Sequence, residues 1–197
     1  MLTKTQLKIL EFFTSQITEK FSIKQVSEQL KKPYPLIHRS VQDLLKKEYL
    51  NKDKHGFLRL DYKKHNAHLA YVESLRSEVF LKKNKVLQLF VKDAFGSIKQ
   101  DFFILLVFGS AVVESKPRDI DILCIVPNED LINNVEKTLI NISERFTKNF
   151  DINVIASVSV HEMLLKRDEA NVINETINKH IVLFGAENYY HMLKNAR

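Results

Sequence analysis

Two aspartates stand at the start of a predicted strand in the second half of the chain. Asp119 and Asp121 flank Ile120 and lead into the apolar run 122–126. Side chains at i and i+2 of a strand point to the same face, so the two carboxylates are expected to lie side by side. Like charges held this close repel each other, and a divalent cation would relieve the repulsion. Oxygen ligands of this kind suit Mg²⁺, which completes its shell with water and substrate phosphates.

A tight turn precedes this pair. The apolar run 102–108 has the length of a buried strand and stops at Gly109-Ser110. Glycine is scarce, with 4 in 197 residues, so each one is expected where the backbone needs it. At this turn it lets the backbone approach a phosphate, whose oxygens the Ser110 hydroxyl and nearby N–H groups can bind.

A third carboxylate is expected if two metal ions are used, one on the attacking hydroxyl and one on the leaving group. After a predicted helix over 130–147, residues 150–155 form a predicted strand with polar side chains on one face, and Asp151 is the candidate. Its carboxylate would lower the pKa of an acceptor hydroxyl or orient it for in-line attack on the α-phosphorus of a nucleotide.

These motifs together resemble a known enzyme family. Gly109-Ser110, the short loop, Asp119-x-Asp121 and Asp151 resemble the nucleotidyltransferase superfamily of the DNA polymerase β type, specifically its minimal prokaryotic members. The tail also resembles the end of those domains, and the likeness covers roughly residues 98–190. The resemblance implies that Gly109 and Ser110 hold the triphosphate of an NTP and that the three aspartates bind two Mg²⁺ ions. It further implies transfer of a nucleoside monophosphate to a hydroxyl of a protein, an RNA or a small molecule.

The loop after the turn departs from the family pattern. Members commonly carry an alanine, a basic residue and a glycine there, whereas this loop reads Ala-Val-Val-Glu-Ser-Lys-Pro-Arg over 111–118. We expect Lys116 or Arg118 to supply the basic contact to the nucleotide. If neither does, catalysis is weakened.

Positive charge is concentrated at the front of the chain. The net charge is +6, but residues 1–65 hold 14 Lys and Arg against 7 Asp and Glu, whereas residues 98–197 hold 11 against 14. This division indicates two modules with different partners, a polyanion for the first and a cation for the second. The alternative is a Lys-rich surface that only keeps the protein in solution.

The spacing of hydrophobic residues in the basic N-terminal part, residues 1–65, predicts three short helices and then a β-hairpin with a polar turn at 52–56. This order, and residues 22–50 in particular, resemble a winged helix-turn-helix. The resemblance implies that the third helix enters the major groove of DNA while the hairpin contacts the backbone. Many such modules only dock proteins, which is the alternative. The residues expected to contact nucleic acid are Tyr34, His38, Arg39 and Gln42 on the third helix and Lys52, Lys54 and His55 at the hairpin tip.

The chain is expected to be an α+β protein in three parts. Residues 1–65 are assigned to the winged helix domain and 66–97 to a linker of one long or two consecutive helices. Residues 98–197 are assigned to the nucleotidyltransferase domain, with a mixed sheet flanked by helices.

Other classes of protein are disfavoured. Cys124 is the single cysteine, so no internal disulfide can form, and the first residues carry no apolar leader; both observations predict the cytoplasm. No run approaches the roughly 18 apolar residues of a membrane span, so a soluble protein is expected. Walker-type phosphate loops, GxGxxG motifs and serine-hydrolase signatures are missing from the sequence, which argues against an ATPase, a dehydrogenase and a serine hydrolase.

Two classes of function remain open. The first is a Mg²⁺-dependent nucleotidyltransferase whose winged helix binds nucleic acid. The second is a DNA-binding transcriptional regulator or antitoxin-like protein whose nucleotide-binding domain is catalytically weak or inactive. Resemblance to the minimal family also implies a toxin-like protein partner. The acceptor, the NTP and the oligomeric state are not fixed by the sequence.

Overall fold

Capping residues set the start of the first helices. In the computed structural model, which describes residues 2–114, 117–165 and 171–195, the hydroxyls of Thr3 and Ser22 each accept a hydrogen bond from the N–H of a glutamine three residues later. The glutamine side chain in turn accepts one from the backbone of the cap. Such capping boxes satisfy N–H groups that a helix start leaves unpaired. The N-terminal elements are α1 (Lys4–Thr14), α2 (Ile23–Gln29), α3 (Tyr34–Lys46), β1 (Leu50–Lys52) and β2 (Leu58–Leu60).

The three helices and the hairpin share one apolar core. The stripes predicted from helical spacing point inward, and the hairpin closes the core because Leu50 pairs with Leu60 on its inner face. The predicted order of three helices and a hairpin is confirmed. Fully buried side chains of this core include Ile9, Leu10, Phe13, Val26, Ile37, Val41, Leu44 and Leu58.

A four-stranded sheet follows in the second half of the chain. Its strands are β3 (Ile104–Phe108), β4 (Asp119–Val126), β5 (Asn149–Ala156) and β6 (His180–Phe184). They are ordered β5-β4-β3-β6, with β3 antiparallel to β4 and β6, and β4 parallel to β5. The expected α+β class with a mixed sheet flanked by helices is therefore confirmed.

Helices cover both faces of this sheet. One face packs on the helices over 85–97 (α5) and 132–143 (α7). The other packs on the helices over 66–83 (α4), 157–165 (α8) and 186–195 (α10) and on the N-terminal helices. No helix within the described ranges is long and apolar enough to cross a membrane. The helices are α4 (Asn66–Lys83), α5 (Lys85–Ser97), α6 (Ser110–Val113), α7 (Ile132–Ser143), α8 (Ser157–Leu165), α9 (Val172–Thr176) and α10 (Ala186–Asn195), with a 3₁₀ turn at Glu129–Leu131.

Helix α7 is shorter than the sequence predicts. The expected helix over 130–147 consists of the 3₁₀ turn and α7, which ends at Ser143. Beyond it the chain turns so that Phe146 and Phe150 pack beside Phe90, with ring centroids 6.4 and 4.5 Å from that of Phe90. This aromatic contact directs the chain into β5 and ends the helix early.

Helix α4 is buried along one side and exposed along the other. Residues 66–97 are helical as expected, in two helices that break at Asn84. The first of them, α4, is not an exposed linker, because it packs against α1, α10 and β6. Leu69 and Val72 belong to a core that runs from the N-terminal helices to one face of the sheet. The division of the chain at residues 65 and 97 remains a prediction.

Four elements meet at a buried polar cluster. The Arg76 guanidinium donates from Nη1 to both carboxylate oxygens of Glu73, at 2.8 and 2.7 Å, and from Nη2 to the His180 carbonyl at 2.5 Å. The Tyr190 hydroxyl donates to Glu73 Oε1 at 2.8 Å, and Thr14 Oγ1 accepts a longer bond of 3.4 Å from Arg76. The cluster therefore joins α1, α4, β6 and α10.

Glu73 and Arg76 are shielded from water, with exposed fractions of 0% and 8%. Burial by itself raises the pKa of the Glu73 carboxyl, but the Arg76 charge, the neighbouring His180 side chain and the Tyr190 hydrogen bond outweigh it and hold the pKa below its ordinary value. Glu73 is therefore ionised at neutral pH. Removing either member of the pair would leave an uncompensated charge in the interior.

Cys124 has a packing role. It lies fully buried in β4, within the core against α5 and α7. Burial raises the pKa of its thiol to about 12, so the nucleophilic thiolate is not populated at neutral pH. Cys124 therefore acts as a small buried hydrophobe.

The buried pair generates a stability prediction. Glu73→Gln should lower the free energy of unfolding by about 3 to 5 kcal/mol, because the Arg76 charge then lacks its counter-ion in the interior. Urea unfolding followed by circular dichroism measures this change. In the double variant Glu73→Leu/Arg76→Met most of the loss should be recovered, since both charges are gone.

Glu78→Gln is the matched control, because Glu78 lies on the same helix and pairs with Lys82 at 2.5 Å on the exposed side. Its unfolding curve should overlie that of the parent protein. Equal effects at positions 73 and 78 would contradict the role given to the buried pair.

Candidate active site

Two candidate catalytic aspartates lie in one row of residues that are paired across neighbouring strands of the sheet. Asp121 pairs with Asp151 on one side and with Phe108 on the other, and Phe108 pairs with His180. Residues in register on neighbouring strands point to the same face. The backbones of Asp121 and Asp151 are therefore adjacent, at the usual strand spacing of about 4.8 Å.

This row lies near the edge of the sheet where β4 and β5 begin and where β3 ends at Gly109. Asp119 comes two residues before Asp121, on the same face, and pairs with Asn149. Asp119 and Asp121 are half-buried, and Asp151 is exposed. We call Gly109, Asp119, Asp121, Asn149 and Asp151 the carboxylate edge. Its carboxylates are open to a ligand from solvent.

The turn at Gly109 accommodates one of these carboxylates. Gly109 has φ +67° and ψ −143°, a conformation that side chains strongly disfavour. A Cβ at this position would collide with Asp121 Oδ2. Only glycine lets the Asp121 carboxylate lie against the turn, and Ser110 follows it as the first residue of α6.

Amide side chains hold the other two carboxylates. Asn149 Nδ2 donates to Asp119 Oδ1 at 3.3 Å, and Asn153 Nδ2 donates to Asp151 Oδ1 at 3.5 Å. Both amides lie on β5, on the face that carries Asp151. Each carboxylate is oriented by a neutral donor, which leaves its negative charge available to a cation.

Arg118 and Lys116 are the residues expected to supply a basic contact to the nucleotide. Arg118 Nε lies 3.6 Å from Asp119 Oδ2, and its side chain is 93% exposed. It therefore brings a positive charge to the carboxylate edge without being fixed there. Lys116 lies outside the described residues. Lys148, beside the same loop, donates to the Pro117 carbonyl at 2.8 Å.

The donor set of the carboxylate edge suits Mg²⁺, because it offers oxygen atoms and no thiolate or imidazole. Within residues 2–114, 117–165 and 171–195, no three His, Cys, Asp or Glu side chains are grouped so as to hold a metal ion. Mg²⁺ is commonly held by one or two carboxylates, with water and substrate phosphates as the remaining ligands. Asp119 and Asp121 are the residues that would hold such an ion, and the two-ion arrangement with Asp151 remains a prediction.

The candidate nucleic-acid contacts lie on the N-terminal elements. On α3, Tyr34, His38 and Arg39 are exposed and Gln42 is half-buried. The rings of Tyr34 and His38 have centroids 5.9 Å apart. At the hairpin, Lys52, Lys54 and His55 are exposed around a turn in which Asp53 accepts from the N–H groups of His55 and Phe57, each at 3.0 Å.

Sequence reasoning missed Asn149 and the cluster around Glu73. The signal for Asn149 was present, because residues 149, 151 and 153 alternate as polar positions along β5. For Glu73 and Arg76 no comparable signal exists, since a Glu-x-x-Arg pair on a helix is typical of an exposed surface.

Searches of family models, of curated proteins and of solved structures find no match to this chain. The geometry of the site, together with the resemblance of its motifs to the nucleotidyltransferase superfamily, is therefore the evidence that bears on function.

The conformation of Gly109 generates the second prediction. Gly109→Ala should lower the free energy of unfolding by about 1 to 3 kcal/mol, because alanine is strained at this φ and ψ. The added methyl must also push the Asp121 carboxylate aside, so any metal affinity of the edge should fall as well. Urea unfolding and a Mg²⁺ titration in the presence of an NTP measure the two effects.

Gly96→Ala is the matched control. Gly96 lies in α5, and a Cβ there would meet no atom within 4 Å. Alanine in a helix should stabilise the protein by about 0.5 to 1 kcal/mol. If both substitutions stabilise the protein, the turn is not strained in the way described.

Proposed function

We propose that this chain is a Mg²⁺-dependent nucleotidyltransferase of the DNA polymerase β type. It would transfer a nucleoside monophosphate from an NTP to a hydroxyl acceptor and release pyrophosphate. The observation that carries the proposal is the pairing of Asp121 with Asp151 next to the Gly109 turn. An i, i+2 pair of aspartates alone is compatible with a structural role. The strand register brings the backbone of a third aspartate beside this pair, and two-metal phosphoryl chemistry uses carboxylates in this way.

The proposed step assigns a role to each residue. Bound Mg²⁺ would neutralise the phosphate oxygens and stabilise the attacking and leaving oxygens. Asp119 and Asp121 would hold the ion, and the backbone at Gly109 with the Ser110 hydroxyl would bind the polyphosphate.

Asp151 orients the acceptor hydroxyl and takes up its proton as the new O–P bond forms at the α-phosphorus. The bond from that phosphorus to its bridging oxygen breaks, and pyrophosphate leaves with the electron pair. Arg118 contacts the departing negative charge.

The three N-terminal helices and the hairpin form a winged helix-turn-helix in this proposal. Its support is the order of the elements and the exposed polar face of α3, where Tyr34 is 47% exposed beside His38 and Arg39. Arg39 and Lys52 would contact phosphates, whereas Gln42 can read base edges.

A second candidate is a DNA-binding regulator, or an antitoxin-like protein with a protein partner, that binds a nucleotide without turnover. One observation favours it: in the part of the chain that the structure describes, no three His, Cys, Asp or Glu side chains are grouped so as to hold a metal ion. Nucleotide binding without transfer would identify this candidate.

The third prediction concerns nucleotide binding. Calorimetric titration of ATP, CTP, GTP and UTP with Mg²⁺ into the parent protein should show binding of at least one NTP. Asp119→Asn and Asp121→Asn should each weaken it by a factor of roughly ten or more, because a charged metal ligand is replaced by a neutral one. Omitting Mg²⁺ should have the same effect.

Asp130→Asn is the matched control, since Asp130 is an exposed aspartate in the 3₁₀ turn after β4 and lies outside the carboxylate edge. It should bind the NTP as the parent does. The proposed function fails if a folded parent protein binds no NTP, or if Asp130→Asn weakens binding as much as Asp119→Asn does.

A further inference from the structure

An open groove lies between the hairpin and the segment that enters β6. Its volume is about 660 Å³, and it is lined by Asn51 and Arg59 of the hairpin, the segment after β2, and Ile177 and Asn178. Asn51 and Arg59 are paired across the hairpin. They lie on the outer face, because Leu50, Leu58 and Leu60 occupy the buried one.

The walls of the groove are fixed to each other. Asn178 accepts from the Thr18 N–H at 3.2 Å and donates to the Thr18 hydroxyl at 2.6 Å. The Lys179 N–H donates to the Ser15 carbonyl at 2.9 Å. The buried Arg76 holds the next residue, His180, through its carbonyl. The hairpin is joined to the same loop after α1 by the backbone hydrogen bonds that Phe21 and Leu58 exchange, at 3.0 and 2.8 Å, so this loop holds both walls of the groove.

The groove is basic. Arg59, Lys63 and Lys64 line it and are exposed. Asp61 is the acid among its lining residues in the described part of the chain, and its carboxylate accepts from the Lys63 N–H at 3.3 Å. Lys64 also pairs with Glu48 at 2.7 Å, whereas Arg59 has no acidic partner within the described residues. An anionic ligand would balance the excess positive charge of the groove.

The sheet register places the groove beside the carboxylate edge. Asn178 precedes His180 by two residues, and β6 begins at the same edge of the sheet as β4. Along the register row, His180 is separated from Asp121 by one strand, a distance of about 10 Å at the usual spacing. A ligand that leaves the groove along this edge therefore reaches the carboxylates within a few residue lengths.

We propose that this groove binds single-stranded nucleic acid and directs its terminal hydroxyl to the carboxylate edge as the acceptor. Repeated phosphates match this basic lining, in which Arg59 has no acidic partner among the described residues, and Tyr62 adds an aromatic ring to the lining. A concave groove between two walls suits a single strand, whereas a duplex requires a convex reading surface such as α3. The acceptor role rests on the proposed function, but binding by the groove does not.

The fourth prediction tests this site on the full chain without NTP or Mg²⁺. Fluorescence anisotropy of a short fluorescein-labelled single-stranded RNA should show binding that weakens with salt, with a logarithmic slope of roughly 0.7 for each phosphate contact. Arg59→Glu should weaken affinity about tenfold or more and reduce the slope by about 0.7, because one phosphate contact is lost. Photo-crosslinking of a 4-thiouridine strand should label the groove around Tyr62.

Lys92→Glu is the matched charge reversal, since Lys92 is exposed on α5, the helix that covers the opposite face of the sheet. It should change RNA affinity by less than about twofold. Arg39→Glu is the matched charge reversal on α3 and should weaken single-strand binding less than Arg59→Glu does.

Three results would overturn the proposal: no binding of single strands, equal losses in Arg59→Glu and Lys92→Glu, or crosslinks and affinity that depend on α3 alone. Because the titration contains no NTP, a negative result here is distinguishable from failure of the nucleotide site.

Discussion

The buried pair of Glu73 and Arg76 is the interaction on which the arrangement of the molecule depends. An ion pair without access to water persists only if its remaining hydrogen-bonding capacity is satisfied by neighbours held in place. Here those neighbours are a hydroxyl on α1, a hydroxyl on α10 and a carbonyl on β6. The pair thereby fixes the N-terminal helices against one edge of the sheet.

A second constraint acts at the start of β4. The central strands are apolar and buried, so polar side chains are confined to the ends of β4 and β5, where the sheet opens to solvent. The parallel register of β4 and β5 then brings Asp151 beside Asp121, while the glycine turn leaves space for a carboxylate. Such a concentration of negative charge is costly unless a cation shares it. This cost is the physical reason for assigning a metal and phosphate chemistry to the edge.

Much of the fold could be predicted from the sequence, because its signals are local. Caps at Thr3 and Ser22, the prolines at the start of α3 and the apolar strand runs each report on a few neighbouring residues. The same-face placement of Asp119 and Asp121 follows from strand alternation alone. Strand order and register are set by contacts distant in sequence, so the adjacency of Asp121 and Asp151 required the structure. The burial of Glu73 likewise depends on packing from three other elements.

The most direct test of the central claim is a crystal of the protein grown with Mn²⁺ and a non-hydrolysable NTP analogue, with anomalous scattering used to locate the metal. The account predicts a Mn²⁺ peak within bonding distance of Asp119 and Asp121, with the phosphates of the analogue at the Gly109 turn. A fully occupied analogue bound elsewhere, or a carboxylate edge without metal at saturating Mn²⁺, would contradict it.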